Sequence, residues 1–333
     1  MEEHPFAQYI RILARGKTKA RDLTGAEAEA AMAMILDGAV EPEQLGAFLM
    51  LMRLKEETAE EVAGFVRAAR ASVPVPDDAP AVDLDWSSYA GKRRQLPWYV
   101  LAVLALVQDG VKVFMHGTDG HTPGRVYTRA TLEALGLPVA TTTAEAAGQI
   151  AQTGFAYLPL EYLSPRLEEI INMKPVLGLR SPANTICRLL NPFAAPHLLQ
   201  GIFHPSFMPI HQNAMRELGE ARAAVFRGEG GEIERRPNKA LTTRTVIDGR
   251  MGEDHWPALL PEPQQPVDED MAVERLAAVW HGDDADAYAT AAITGTLALA
   301  LHLLGRAADQ QSAQEAAEAL WAGRDRGRLR PAA

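Results

Sequence analysis

The sequence predicts an α/β protein: a small all-helical domain, then a larger domain on a central, mainly parallel sheet flanked by helices. Three observations predict it. The first 72 residues carry helix signals and no strand signal. Residues 72–80, "SVPVPDDAP", hold three prolines and break the pattern. Beyond them, short strand-like runs alternate with helical runs at the spacing of βαβ units.

Each element has a local reason. "GAEAEAAMAMILDGAV" follows Thr24, an N-cap residue, and stops near Gly38. "EPEQLGAFLMLMRLKEE" places Leu45, Phe48, Leu49 and Met52 on one helix face. "TAEEVAGFVRAARAS" opens with a capping box, Thr58 with Glu61. "AVDLDW" alternates like a strand, "WYVLAVLALVQDG" is apolar enough for a buried helix, and "VKVFMHG" is a strand again. "RATLEALGLPVA" and "TAEAAGQIAQTGFAYLPL" each read as helix then strand. Residues 164–193 read as helices broken by prolines. "LLQGIFHP" is a strand, and the segment after it reads as helix, strand and Gly-rich turn. Residues 268–306 close the chain as helices, with "RDRGRLRPAA" expected to fray.

Composition narrows the function. The chain of 333 residues is 47% hydrophobic and 23% charged, enough for a sizeable core. It has no apolar run long enough to span a membrane. Its N-terminus lacks the apolar core of a signal peptide. A single cysteine, Cys187, excludes an internal disulfide and a cysteine metal cluster. A cytoplasmic protein is expected. The net charge of −10 argues against a surface that coats nucleic acid everywhere, but not against a local basic groove.

Basic residues do cluster. Lys92, Arg93 and Arg94 follow a strand and are expected at the N-terminal end of the next helix, which already carries partial positive charge. An anion there would resolve the repulsion; the bland alternative is a solvated turn. Lys17, Lys19 and Arg21 form a second run with Arg15, and Arg180 and Arg188 a third. Arg235, Arg236 and Lys239 follow a Gly-rich turn with carboxylates. The loop "HGTDGHTPGRVYT" offers His116, His121 and Arg125 to a phosphate, or is merely polar. Acidic residues concentrate in 253–286, so one basic face is expected, suited to a phosphodiester backbone. The apolar faces of "AAMAMILDG" and "LGAFLMLMRL" suggest a homodimer through the helical domain.

The order of these pieces resembles anthranilate phosphoribosyltransferase, of the glycosyltransferase family 3 type, over nearly the whole chain. "LLNPF" at 189–193 and "VFMHG" at 113–117 carry the likeness. The resemblance implies the phosphoribosyltransferase fold. It assigns 1–72 to the small domain, joined by helices near 163–190, and 73–162 with 191–333 to the large one. It also implies a phosphate cleft at Ser88, Gly91, His116, Gly117 and Asn184, with Mg²⁺ at Glu232 if transfer occurs. The family's motifs are eroded. Its Gly-rich pyrophosphate turn is Ser87–Gly91, its Lys before His-Gly is Met115, and its Asp-Glu pair is Gly231-Glu232. Thr118 and Asp119, Lys174, Cys187 and Arg188 also depart from its pattern, while Arg180 and Asn184 are kept. "ARGKTKARDL", "SYAGKRRQ" and "GLRSPANTICRLLNPFA" are similar to the divergent YbiB-like branch, regarded as nucleic-acid-binding. That likeness implies a homodimer binding single-stranded DNA or RNA without a catalytic residue or certain cofactor. An active, Mg-dependent phosphoribosyltransferase is the alternative.

Overall fold

The computed structural model describes residues 2–16, 18–120, 122–262 and 264–329. The chain begins with α1 (Ala7–Ala14), α2 (Gly25–Leu36), α3 (Pro42–Lys55) and α4 (Ala59–Ala71). Capping boxes at Thr24 and Thr58 start α2 and α4 as expected, because each Thr and the Glu three residues on satisfy each other's amides. Leu45, Phe48, Leu49 and Met52 are all buried. So are Ala28, Ala31, Met32 and Ile35. Much of the apolar surface behind the dimer expectation is therefore internal. Leu167, Ile170, Ile171 and Ala183 pack into the same core as these helices.

The sheet follows. Its first half is β1 (Leu84–Ser88), α5 (Trp98–Gln108), β2 (Val113–Gly117), α6 (Thr128–Ala134), α7 (Thr143–Thr153) and β3 (Phe155–Pro159). Short helices α8 (Leu160–Leu163), α9 (Pro165–Ile171), α10 (Lys174–Leu177) and α11 (Ala183–Ile186) then lead away. The chain returns as β4 (His197–Ile202), α12 (Met208–Glu217), β5 (Arg222–Arg227), β6 (Leu241–Ile247) and β7 (Arg250–Trp256). It closes with α13 (Arg275–His281), α14 (Ala287–Leu303) and α15 (Gln310–Ala322).

Among the described residues the sheet has seven strands in the order β3-β2-β1-β4-β5-β6-β7. The first five are mutually parallel; β6 and β7 are antiparallel. Strand order reverses between β1 and β4. In such sheets the crevice beyond the carboxyl ends of the strands at that reversal receives ligands. The fold class is thus the one expected, with local corrections. No strand forms at 137–140: Pro138 lacks an N–H, and Ala140 makes one bond to Tyr157. Of the tail expected to fray, Arg324 and Leu329 are buried, Arg324 bonding three carbonyls of α13 and α15, while residues 330–333 lie outside the described residues. No helix among the described residues is long and apolar enough to cross a membrane.

Candidate anion-binding site

The loop after β1 has two sides. On its inner side, Ala90 and Gly91 turn their amides inward. Gly91 has φ +67°, and a Cβ there would sit 2.9 Å from the Tyr127 ring, so the turn requires glycine. Both amides donate to one oxygen, Oε1 of Glu232, at 2.6 Å. Glu232 is fully buried, and its Oε2 has no hydrogen-bond partner among the described residues. Lys92 is 1% exposed and its ammonium bonds Glu234, which is also buried. The same carboxylate accepts the Tyr99 amide in the first turn of α5 at 2.9 Å. Burial pushes Glu234 up to about 7, against the pull of Lys92.

This corrects the expectation at 92–94. Helix α5 begins only at Trp98, behind Pro97, so the three cations do not crown it. Lys92 pairs instead in a β-bridge with Val126. The anion at the helix N-terminus is supplied by the chain itself, as Glu234.

On the outer side lies a cavity of about 580 Å³ at the β1/β4 reversal. Arg93, Arg94, Arg125, Arg227, Arg236 and Lys239 line it, with Glu229, Phe203 and Met208. Lys92 borders it too but is held by Glu234. Among the described residues none of those six cations has a carboxylate within salt-bridge distance. Arg125 spends one nitrogen on the carbonyls of Ala90 and Gly91, at 2.8 and 3.2 Å. Arg236 donates to Asn238. Asp268 pins the loop's far end, accepting from the Leu96 amide and donating its own N–H to the Arg94 carbonyl. Arg94 therefore has a fixed backbone and an exposed side chain.

The other expected residues divide. Ser88 lies inside, its hydroxyl on Tyr99 and Thr128 at 3.1 and 2.7 Å, so it cannot face a phosphate. His116 is buried between the Tyr89 hydroxyl (2.7 Å) and Asp85 (3.2 Å), equally withdrawn. Gly117 is a packing glycine: a Cβ there would sit 1.9 Å from the Ser88 carbonyl. Asn184 is half-buried, bonding the Ser181 carbonyl. Arg188 bonds the carbonyls of Asn184 and Gly201, and burial lowers its pKa. Arg180 is exposed and near Arg125, which adds to the lowering by burial. Arg235 is enclosed, its guanidinium over the Trp256 ring and bonded to Pro257, so it is no part of a rim. Arg21 is engaged by Glu27 at 2.7 Å; Lys19 is exposed; Lys17 and His121 lie outside the described residues. The acidic stretch is also partly spent, since Asp268, Asp284 and Asp286 all bind Arg275. Two lining residues were not among those expected: Arg227, the last residue of β5, and Phe203, the first beyond β4; for Arg227 the signal was a cation at a strand's carboxyl end.

Residues 7–73 match the helical bundle domain of a glycosyl transferase family, and residues 100–324 its a/b domain. The chain belongs to glycosyl transferase family 3. It is 34% identical over 245 residues to an anthranilate phosphoribosyltransferase of Anaeromyxobacter, covering 72% of this chain and 70% of that protein. It is 28% identical over 245 residues to the Escherichia coli protein YbiB, described as uncharacterized, covering 70% and 74%. The anthranilate phosphoribosyltransferase of Thermus thermophilus shares its fold at a TM-score of 0.76, with 20% identity over 96% of this chain and 95% of that one. The Saccharomyces cerevisiae enzyme solved with PRPP and Mg gives 0.76 at 14% identity, over 96% and 94%.

Family 3 membership raises the question of a metal. The carboxylate pair that the resemblance implies for Mg²⁺ is half lost. Gly231 offers no carboxylate, and Glu232 gives one oxygen to two amides. Among the described residues no three His, Cys, Asp or Glu side chains converge to hold an ion. Of the expected site at Glu232, Oε1 is an internal acceptor, while Oε2 is buried with no hydrogen-bond partner among the described residues and no second carboxylate beside it at 231.

Proposed function

We propose that this family 3 protein binds a phosphate-bearing ligand in the basin at the β1/β4 reversal. One observation carries the reading: six cations meet there without a carboxylate partner among the described residues, in a chain of net charge −10. Exposed cations gathered in one cleft focus a positive potential that draws an anion. The relatives above 30% identity support phosphoribosyl transfer as the activity. Its test is turnover of phosphoribosyl pyrophosphate with anthranilate by the purified protein. Steady turnover, lost in Arg93→Ala/Arg94→Ala, supports transfer. Absent turnover together with absent calorimetric binding of phosphoribosyl pyrophosphate rejects it.

Glu232 favours a second reading, a sequence-tolerant single-stranded polynucleotide. A pyrophosphate-binding turn must offer its amides, and here a carboxylate of the same chain holds two of them. The outer cations stay open, and a phosphodiester strand needs only such side-chain contacts. The test is a salt titration of binding to a single-stranded oligonucleotide. Log K should fall linearly with log salt, by about 0.7 for each phosphate neutralised. A flat dependence, or no binding, rejects this reading.

A further inference from the structure

We propose that Phe203 is a stacking platform for a nucleobase at the mouth of the basin. The inference rests on the polynucleotide reading and adds the residue that would hold a base. Phe203 is the first residue beyond the carboxyl end of β4, on one side of the sheet's reversal. It is 49% exposed, while the neighbouring Ile202 and Met208 are buried. Its position is built. Gly231, at φ +94°, comes so close that a Cβ there would lie 3.2 Å from the Phe203 Cβ and 3.3 Å from that of Ala90. The glycine thereby seats Phe203 against the loop that carries Arg93 and Arg94. His204 meets the ring edge-on, with centroids 4.8 Å apart at 82°.

An aromatic side chain beside open cations has the two parts that single-strand binding uses. The cations track the backbone, and the ring face takes a base of any sequence. A phosphorylated sugar alone would satisfy the cations and leave the ring in water. A base attached to the phosphate chain covers it.

The experiment compares two labelled strands of equal length, an oligo(dA) 20-mer and its abasic counterpart, by fluorescence anisotropy. The phosphates are the same, so only the bases differ. The protein should bind the base-bearing strand more tightly, and Phe203→Ala should weaken that binding about 5- to 150-fold, the 1–3 kcal/mol of one stack. Binding of the abasic strand and the salt slope should not move. Phe203→Trp should restore the preference. Equal binding of the oligo(dA) strand by Phe203→Ala and the parent overturns the inference while the polynucleotide reading stands. Failure of the parent to bind either strand removes both. Melting curves of the Phe203 variants matching the parent exclude a folding defect.

Discussion

Lys92 and Arg93 are neighbours with the same charge, yet Lys92 is 1% exposed and joined to Glu234, while Arg93 is exposed and meets no carboxylate among the described residues. The same division runs through the whole loop. Its inward amides end on Glu232 and the α5 amide on Glu234, so the anions on that side are internal. Its outward side presents Arg93 and Arg94 to a basin shared with Arg227, Arg236 and Lys239. The difference separates two meanings of a basic run. A buried cation must be paired, and its removal is felt as instability. An exposed, unpaired one barely affects the fold, and its removal is felt only by a ligand.

The largest expected effect lies on the inner side. Lys92→Ala leaves Glu234 buried without its counter-ion and should cost about 3–5 kcal/mol of stability, read from the urea midpoint. Arg93→Ala, one residue away, should change stability by less than about 0.5 kcal/mol. Equal effects would erase the distinction. Replacing both members of the pair by apolar residues of similar size should recover much of the loss, because no orphan charge remains.

A second inner group sharpens the comparison through pH. His211, buried on α12 with Nδ1 2.7 Å from Gln200, has its pKa lowered to about 3, chiefly by burial and then by the Arg188 charge. The unfolded chain takes up this proton near its ordinary value of 6.5; the folded chain resists to about 3. The stabilising contribution is therefore complete above pH 6.5 and is lost as pH falls toward 3, at about 1.4 kcal/mol per unit. At pH 5 the loss should reach about 2 kcal/mol. His211→Gln should be flatter than the parent in a series of urea melts across this range, and an unchanged slope would count against the assignment.

How much of this was legible depends on how local the cause is. The capping boxes of α2 and α4 sit within four residues, so the text of the chain contains them. The parallel half of the sheet shows as strand–helix alternation. The β6–β7 hairpin does not, because most of β7 is exposed and its sequence, "RMGEDHW", has no apolar face to alternate. At the site, the charges could be counted but not sorted. Lys92 and Glu234 are 142 positions apart, and it takes β1 beside β4 and β4 beside β5 to bring the loops after β1 and β5 together. Ser88 and His116 were placed in a cleft by resemblance, whereas the structure turns both into the interior. Phe203 was invisible because an aromatic at a strand end reads as core.

The smallest expected effect belongs to the outer side, and it decides what the basin is for. The natural experiment on "GKRRQ" would replace all three cations, but Lys92 would bring its folding cost along and blur the readout. Arg93→Ala/Arg94→Ala avoids this, since neither side chain has a carboxylate partner within the described residues. Each phosphate left without its cation should take about 0.7 from the slope of log K against log salt for a single strand, so the pair should flatten it by about 1.4. Affinity should fall uniformly across sequences, because bonds to phosphate carry no sequence information. Arg236→Ala/Lys239→Ala, across the same cavity, should flatten the slope by a similar amount. Glu274→Gln/Asp283→Asn in the acidic segment is the control and should leave it unchanged or raise affinity slightly. If the Arg93/Arg94 variant keeps both affinity and slope, the outer cations are merely solvated. The two sides of the loop would then differ in burial but not in purpose.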